Sequence, residues 1–67
     1  MLGNPKFKYG DKVQFEVDKI KKVGTVEIID KYGTFYDDSD VSYDIMVQEE
    51  NPILYKHVNE RFVSLAE

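Results

Sequence analysis

Six carboxylates fall within fourteen residues, at Asp37, Asp38, Asp40, Asp44, Glu49 and Glu50. Clustered hard oxygens are what a calcium ion takes. Counting Asp38 as the first position of a twelve-residue loop puts Asp40 third and Glu49 twelfth. The sixth position, where such a loop turns sharply and needs glycine, is Tyr43, inside a segment that reads as a strand. The spacing therefore rejects a helix-loop-helix calcium site, and no metal is expected.

Catalysis finds no better material. His57 is the single histidine, cysteine is absent, and Ser39, Ser42 and Ser64 have no base and orienting group nearby in the pattern. A nucleophilic triad or a histidine-based zinc site needs more than this. His57 reads as a solvent-facing strand residue. No cofactor is expected, and the chain is expected not to be an enzyme.

Two binding chemistries remain. Lys8, Lys19, Lys21, Lys22 and Lys31, with Tyr9 and Tyr32 among them, could form a stacking and phosphate-binding face for single-stranded nucleic acid. Against it stand a net charge of -4 and the lack of arginine in that set, since arginine is the usual stacking and base-edge residue. The other chemistry lies in KYGTFYDDSDVSY, Lys31 to Tyr43. Tyr32, Phe35, Tyr36, Tyr43 and Tyr55 exceed what so small a core must bury, because Phe7, Phe15 and Phe62 already have core duties to fill. Exposed rings beside carboxylates suit a protein contact: the ring supplies rigid area, and the acid selects Lys or Arg on the partner. Tyr32, Phe35, Tyr36, Asp37, Asp38 and Asp40 are the expected protein-binding residues. Alternatively, Tyr32 and Phe35 fold back over an open end of the core.

The elements that must hold these groups are strands. In KVQFEVD, Val13, Phe15 and Val17 alternate with Lys12, Gln14, Glu16 and Asp18, the period of a half-buried strand. Gly10-Asp11 is a turn signal before it, and residues 1–6 form a loose lead-in. After a polar link, DKIKK, comes VGTVEIID. Its Val26 and Ile28 fit one face, and Val23, Thr25 and Ile29 the other. Gly24 suggests a bulge or a close backbone approach. YDIMVQ puts Tyr43, Ile45 and Val47 on one face, EENP turns, and ILYKHV places Leu54 and Val58 inward. Asn59 is a plausible cap for one short 3-10 turn, and FVSL closes the chain as a fifth strand.

The bulk numbers agree with one small domain spanning residues 1–67. Hydrophobic residues make up 42% of the chain and charged residues 33%, enough apolar material for a core and too much for disorder. Residues 1 to 31 carry seven lysines and five acids, whereas the remainder carries two basic and eight acidic groups. No apolar run is long enough for a signal peptide or a membrane span. A cytoplasmic protein is expected, monomeric or weakly dimeric.

Gly10-Asp11-Lys12-Val13, Gly24-Thr25-Val26, Tyr43-Asp44-Ile45 and Asn59-Glu60-Arg61-Phe62-Val63 together resemble the Src-homology-3-like small barrels, the superfold that includes Tudor and KOW modules. The resemblance runs from about Phe7 to Leu65 and implies an all-β, five-stranded barrel with a short 3-10 turn before the last strand. Two departures limit what it implies about ligands. Gly24 is followed by Thr25, Val26 and Glu27 rather than by basic residues, unlike RNA-binding KOW modules. Tryptophan is absent, unlike peptide-binding Src-homology-3 domains. The general look is also similar to small uncharacterised proteins of Gram-positive bacteria and their prophages. The expected function is a non-enzymatic protein-interaction module, with nucleic-acid binding through the lysine face as the alternative.

Overall fold

A computed structural model describes residues 5–30 and 41–66. Five strands follow one another: β1 (Lys12–Val17), β2 (Ile20–Asp30), β3 (Ser42–Val47), β4 (Ile53–Asn59) and β5 (Ser64–Leu65), with a 3-10 turn (Glu60–Phe62) before the last. All pairings are antiparallel, in the order β4-β3-β2-β1-β5. Among the described residues no ladder joins β4 to β5, so the sheet is not closed.

The sheet nevertheless curls. In a flat sheet β1 and β4, three strand spacings apart, would lie about 14 Å from one another. Yet the Phe15 ring on β1 meets the Tyr55 ring on β4 edge to face, with centroids 5.3 Å apart. The concave side so formed holds the core: Phe7, Val13, Phe15, Val26, Val41, Tyr43, Ile45 and Val47 are buried. Val17, Ile29, Tyr55, Val58 and Val63 pack against them. The alternations in β1 and β3 thus place their apolar residues as the sequence spacing expects.

Turn chemistry sets the register. Asp18 and Lys19 have φ of 51° and 68°, and Val17 pairs with Ile20. A two-residue turn with both φ positive twists as a hairpin requires, and Asp tolerates that conformation better than most residues. The link expected over DKIKK is therefore only two residues long, and β2 starts at Ile20. Gly10, at φ 89°, belongs to a turn in which the Asp11 amide donates to the Lys8 carbonyl at 3.0 Å.

Gly24 lies in regular pairing with Val13, and the irregularity expected there falls at Glu27 instead, between Val26 and Ile28. The glycine serves the other expected role, a close backbone approach. A Cβ at position 24 would stand 2.5 Å from the Met46 carbonyl oxygen and 2.7 Å from Ile45 Cγ2. Gly24→Ala is expected to destabilise by about 1–3 kcal/mol through overpacking. A thermal melt checks this, at about 4–8 °C per kcal/mol for a domain of this size; an unchanged midpoint would show that β2 and β3 are free to separate.

Bulges explain the residues that depart from the expected faces. The shift at Glu27 turns Ile29 to the core and leaves Ile28 54% exposed, so Val26 and Ile28 do not share a buried face. In β4, Tyr43 pairs with Val58 and Ile45 with Tyr55, so two residues, Lys56 and His57, oppose Asp44. Tyr55 and Val58 consequently both reach the core, and Tyr55 takes the inward place expected of Leu54. Tyr43 and Tyr55 are accordingly core residues rather than surplus surface aromatics. Asn59 does stand at the N-cap of the 3-10 turn, but its side chain makes no capping hydrogen bond; the Glu60 amide is satisfied by the Val41 carbonyl at 2.8 Å. Phe62 is 60% exposed and takes no part in the core.

Candidate interaction surface

The residues expected to contact a protein, Tyr32, Phe35, Tyr36, Asp37, Asp38 and Asp40, lie outside the described residues, as does Lys31. Their anchors are described. Asp30, the last residue of β2, pairs with Ser42, the first of β3, and Ser42 pairs in turn with Asn59 of β4. The connection therefore starts and ends at adjacent positions on one three-stranded edge of the sheet.

That edge is braced by polar contacts. The Tyr43 hydroxyl donates to Glu60 Oε2 at 2.6 Å and accepts from the Phe7 amide at 3.3 Å. Glu60 Oε2 also accepts from the Lys6 amide at 3.0 Å. Burial, followed by the Glu60 hydrogen bond, pushes the Tyr43 phenol up to about 12. Phe7 adds an edge-to-face contact with the Tyr43 ring, centroids 5.4 Å apart. One carboxylate and one phenol thus tie the chain's lead-in, β3 and the 3-10 turn together.

The described lysines of that set do not assemble into one face. Lys8 stands at the turn before β1, where its amide donates to Asp11 Oδ2 at 2.9 Å. Lys19 occupies the turn at the other end of β1. Lys22 pairs across from Phe15, and its ammonium donates to Glu49 at 2.6 Å; that hydrogen bond raises its pKa. Lys21 pairs across from Glu16, on the opposite side of the sheet.

Lys19 and Lys21 instead meet residues that the lysine pattern did not include. A groove of about 620 Å³ is lined by Gln14, Phe15 and Glu16 of β1, by Lys19 and Lys21, by Arg61 and Phe62 of the 3-10 turn, and by Ser64. The Arg61 guanidinium lies 5.1 Å from the centroid of the Phe62 ring. The signal that places them was present in the spacing. A 3-10 helix repeats every three residues, so Glu60 and Val63 share a side; Glu60 bonds Tyr43 and Val63 packs on the core. Arg61 and Phe62 are left to face outward.

His57 is exposed, with φ of 59°, and its amide donates to Asp44 Oδ1 at 3.0 Å. Its place is the β4 bulge. Among the described residues no group of three or more His, Cys, Asp or Glu side chains is placed to hold a metal ion, and no helix is long and apolar enough to cross a membrane. No protein-family model matches the chain, and neither a curated protein nor a solved structure matches it.

Proposed function

We propose that the chain is a non-enzymatic protein-interaction module of the Src-homology-3-like small-barrel type, working in a bacterial cytoplasm and presenting Tyr32, Phe35, Tyr36, Asp37, Asp38 and Asp40 to its partner. The observation that carries this reading is the Asp30–Ser42 pairing, backed by Asn59, which holds both ends of the connection on hydrogen-bonded strands. Binding residues on loops gain precision from a scaffold that fixes the loop's ends. Curling of the sheet, seen in the Phe15–Tyr55 contact, supports the barrel type. The nucleic-acid alternative gains less support, because Lys22 is engaged by Glu49 and Lys8 stands at the far end of β1 from Lys19 and Lys21.

The test is capture of a partner on the immobilised chain, with and without nuclease, followed by affinity measurement on the purified pair. Tyr36→Ala combined with Asp38→Lys is expected to weaken that affinity about tenfold or more, equivalent to about 1.4 kcal/mol. Unchanged affinity in a folded variant overturns the assignment. So does a captured partner that nuclease removes and that Lys21→Ala with Lys22→Ala abolishes.

A further inference from the structure

We infer that the groove between β1 and the 3-10 turn docks a short acidic peptide segment that carries an apolar or aromatic side chain between its carboxylates. Its described lining residues are not among those proposed above to contact a protein, and the inference stands or falls without that reading.

Charge is the first ground. Among the described residues, Lys19, Lys21 and Arg61 line the groove against one carboxylate, Glu16, on a chain whose net charge is -4. The patch thus reverses the sign of the whole. Charges beyond about 8–10 Å are largely screened at physiological salt, so a ligand in contact feels the patch rather than the net charge. Geometry is the second ground. Arg61 lies over the Phe62 ring, so a positive charge and an aromatic face adjoin in the groove. Phe62 itself is 60% exposed, and exposed rings beside arginine are where contact energy concentrates. The volume, about 620 Å³, lies within the range of sites that enclose small ligands, roughly 300–1,000 Å³.

A peptide suits these features better than a nucleic acid. Strand-binding surfaces combine a continuous cationic track with successive stacking rings. Here, of the two rings in the described lining, Phe15 is buried and only Phe62 is exposed, and three cations stand beside Glu16, which pairs across from Lys21. A polyanion would carry its charge on past the groove, over a chain whose net charge is -4. A short acidic segment presents only the charges that the groove can match, and Gln14 and Ser64 offer polar partners for its backbone.

Fluorescence anisotropy on the full chain tests this with three probes: a labelled octapeptide of alternating glutamate and tyrosine, its counterpart with lysine for glutamate, and an oligothymidylate of eight nucleotides. The acidic peptide is expected to bind tightest of the three and to weaken with added salt. Phe62→Ala, and separately Lys19→Glu with Lys21→Glu, are expected to weaken it about tenfold, while Tyr36→Ala leaves it unchanged. Lys19, Lys21 and Phe62 are exposed, so circular dichroism should show the groove variants folded. The inference is overturned if the acidic peptide does not bind, if the lysine peptide binds as well, or if the oligothymidylate binds tighter. Indifference to the groove substitutions also overturns it, as does loss of binding in Tyr36→Ala alone.

Discussion

Phe15→Ala is expected to lose about 3–5 kcal/mol of folding free energy. The ring is 4% exposed and joins β1 to β4 across the concave side of the sheet through Tyr55. Truncation removes both its burial and the edge-to-face contact that brings two non-neighbouring strands together. A domain of 67 residues is stable by about 3–10 kcal/mol at typical values per residue, so the loss removes from about a third to all of that stability. Ile45→Ala, at a fully buried position of β3, should cost about 2–5 kcal/mol. Urea denaturation followed by circular dichroism checks both. A dispersed NMR spectrum with an unaltered midpoint for Phe15→Ala would mean that the sheet holds its curl without this contact.

Raising the pH above 10 is expected to remove a further large share of stability through Tyr43. The phenol titrates near 10.0 in an unfolded chain and near 12 in the folded one, first because it is buried and second because it donates to Glu60. A raised folded value favours the neutral form, so the contribution is complete below pH 10 and is lost as pH climbs from 10 to 12. Two units correspond to about 2–3 kcal/mol. Tyr43→Phe should flatten that alkaline decline while costing about 1–3 kcal/mol at neutral pH, because Glu60 and the Phe7 amide lose their partner. Lys22, raised by its hydrogen bond to Glu49, loses its contribution in the same direction at high pH. It does so in both proteins, so the difference between them isolates Tyr43. Denaturant midpoints that fall in parallel for wild type and variant would show that folding does not raise the pKa of the Tyr43 phenol.

The strand pattern was legible where period two runs without interruption. KVQFEV and YDIMV place Val13, Phe15, Tyr43, Ile45 and Val47 inward as their alternation requires. The period misleads where a bulge inserts one residue. Ile28 and Ile29 exchange roles at Glu27, and Leu54 and Tyr55 exchange roles because of Lys56 and His57. Neither bulge carries a glycine, and His57 adopts a positive φ that nothing in its residue type demands. The force that selects it is tertiary, since the Asp44 carboxylate accepts its amide. Phe62 was misplaced for a related reason: aromatic type favours the core, but the threefold repeat of the short turn points it out. Arg61 and Phe62 reach Lys19 and Lys21 from forty residues away, a proximity that only the β1–β5 pairing creates. Among the residues expected to bind protein, the sequence supplied composition and the structure supplied the Asp30–Ser42 base.

The bulge in β4 also bears on what the chain can do to copies of itself. β4 and β5 are the two ends of the sheet, where backbone groups could template another strand. β5 is two residues long, too short to offer a ladder. β4 is seven residues long, but Lys56 and His57 break the spacing of its hydrogen-bonding groups, and Lys56 sets a charge on the rim. A strand arriving from a neighbouring molecule would find no continuous run to match. The Asp44 carboxylate that holds the His57 amide therefore also interrupts the edge that β4 presents.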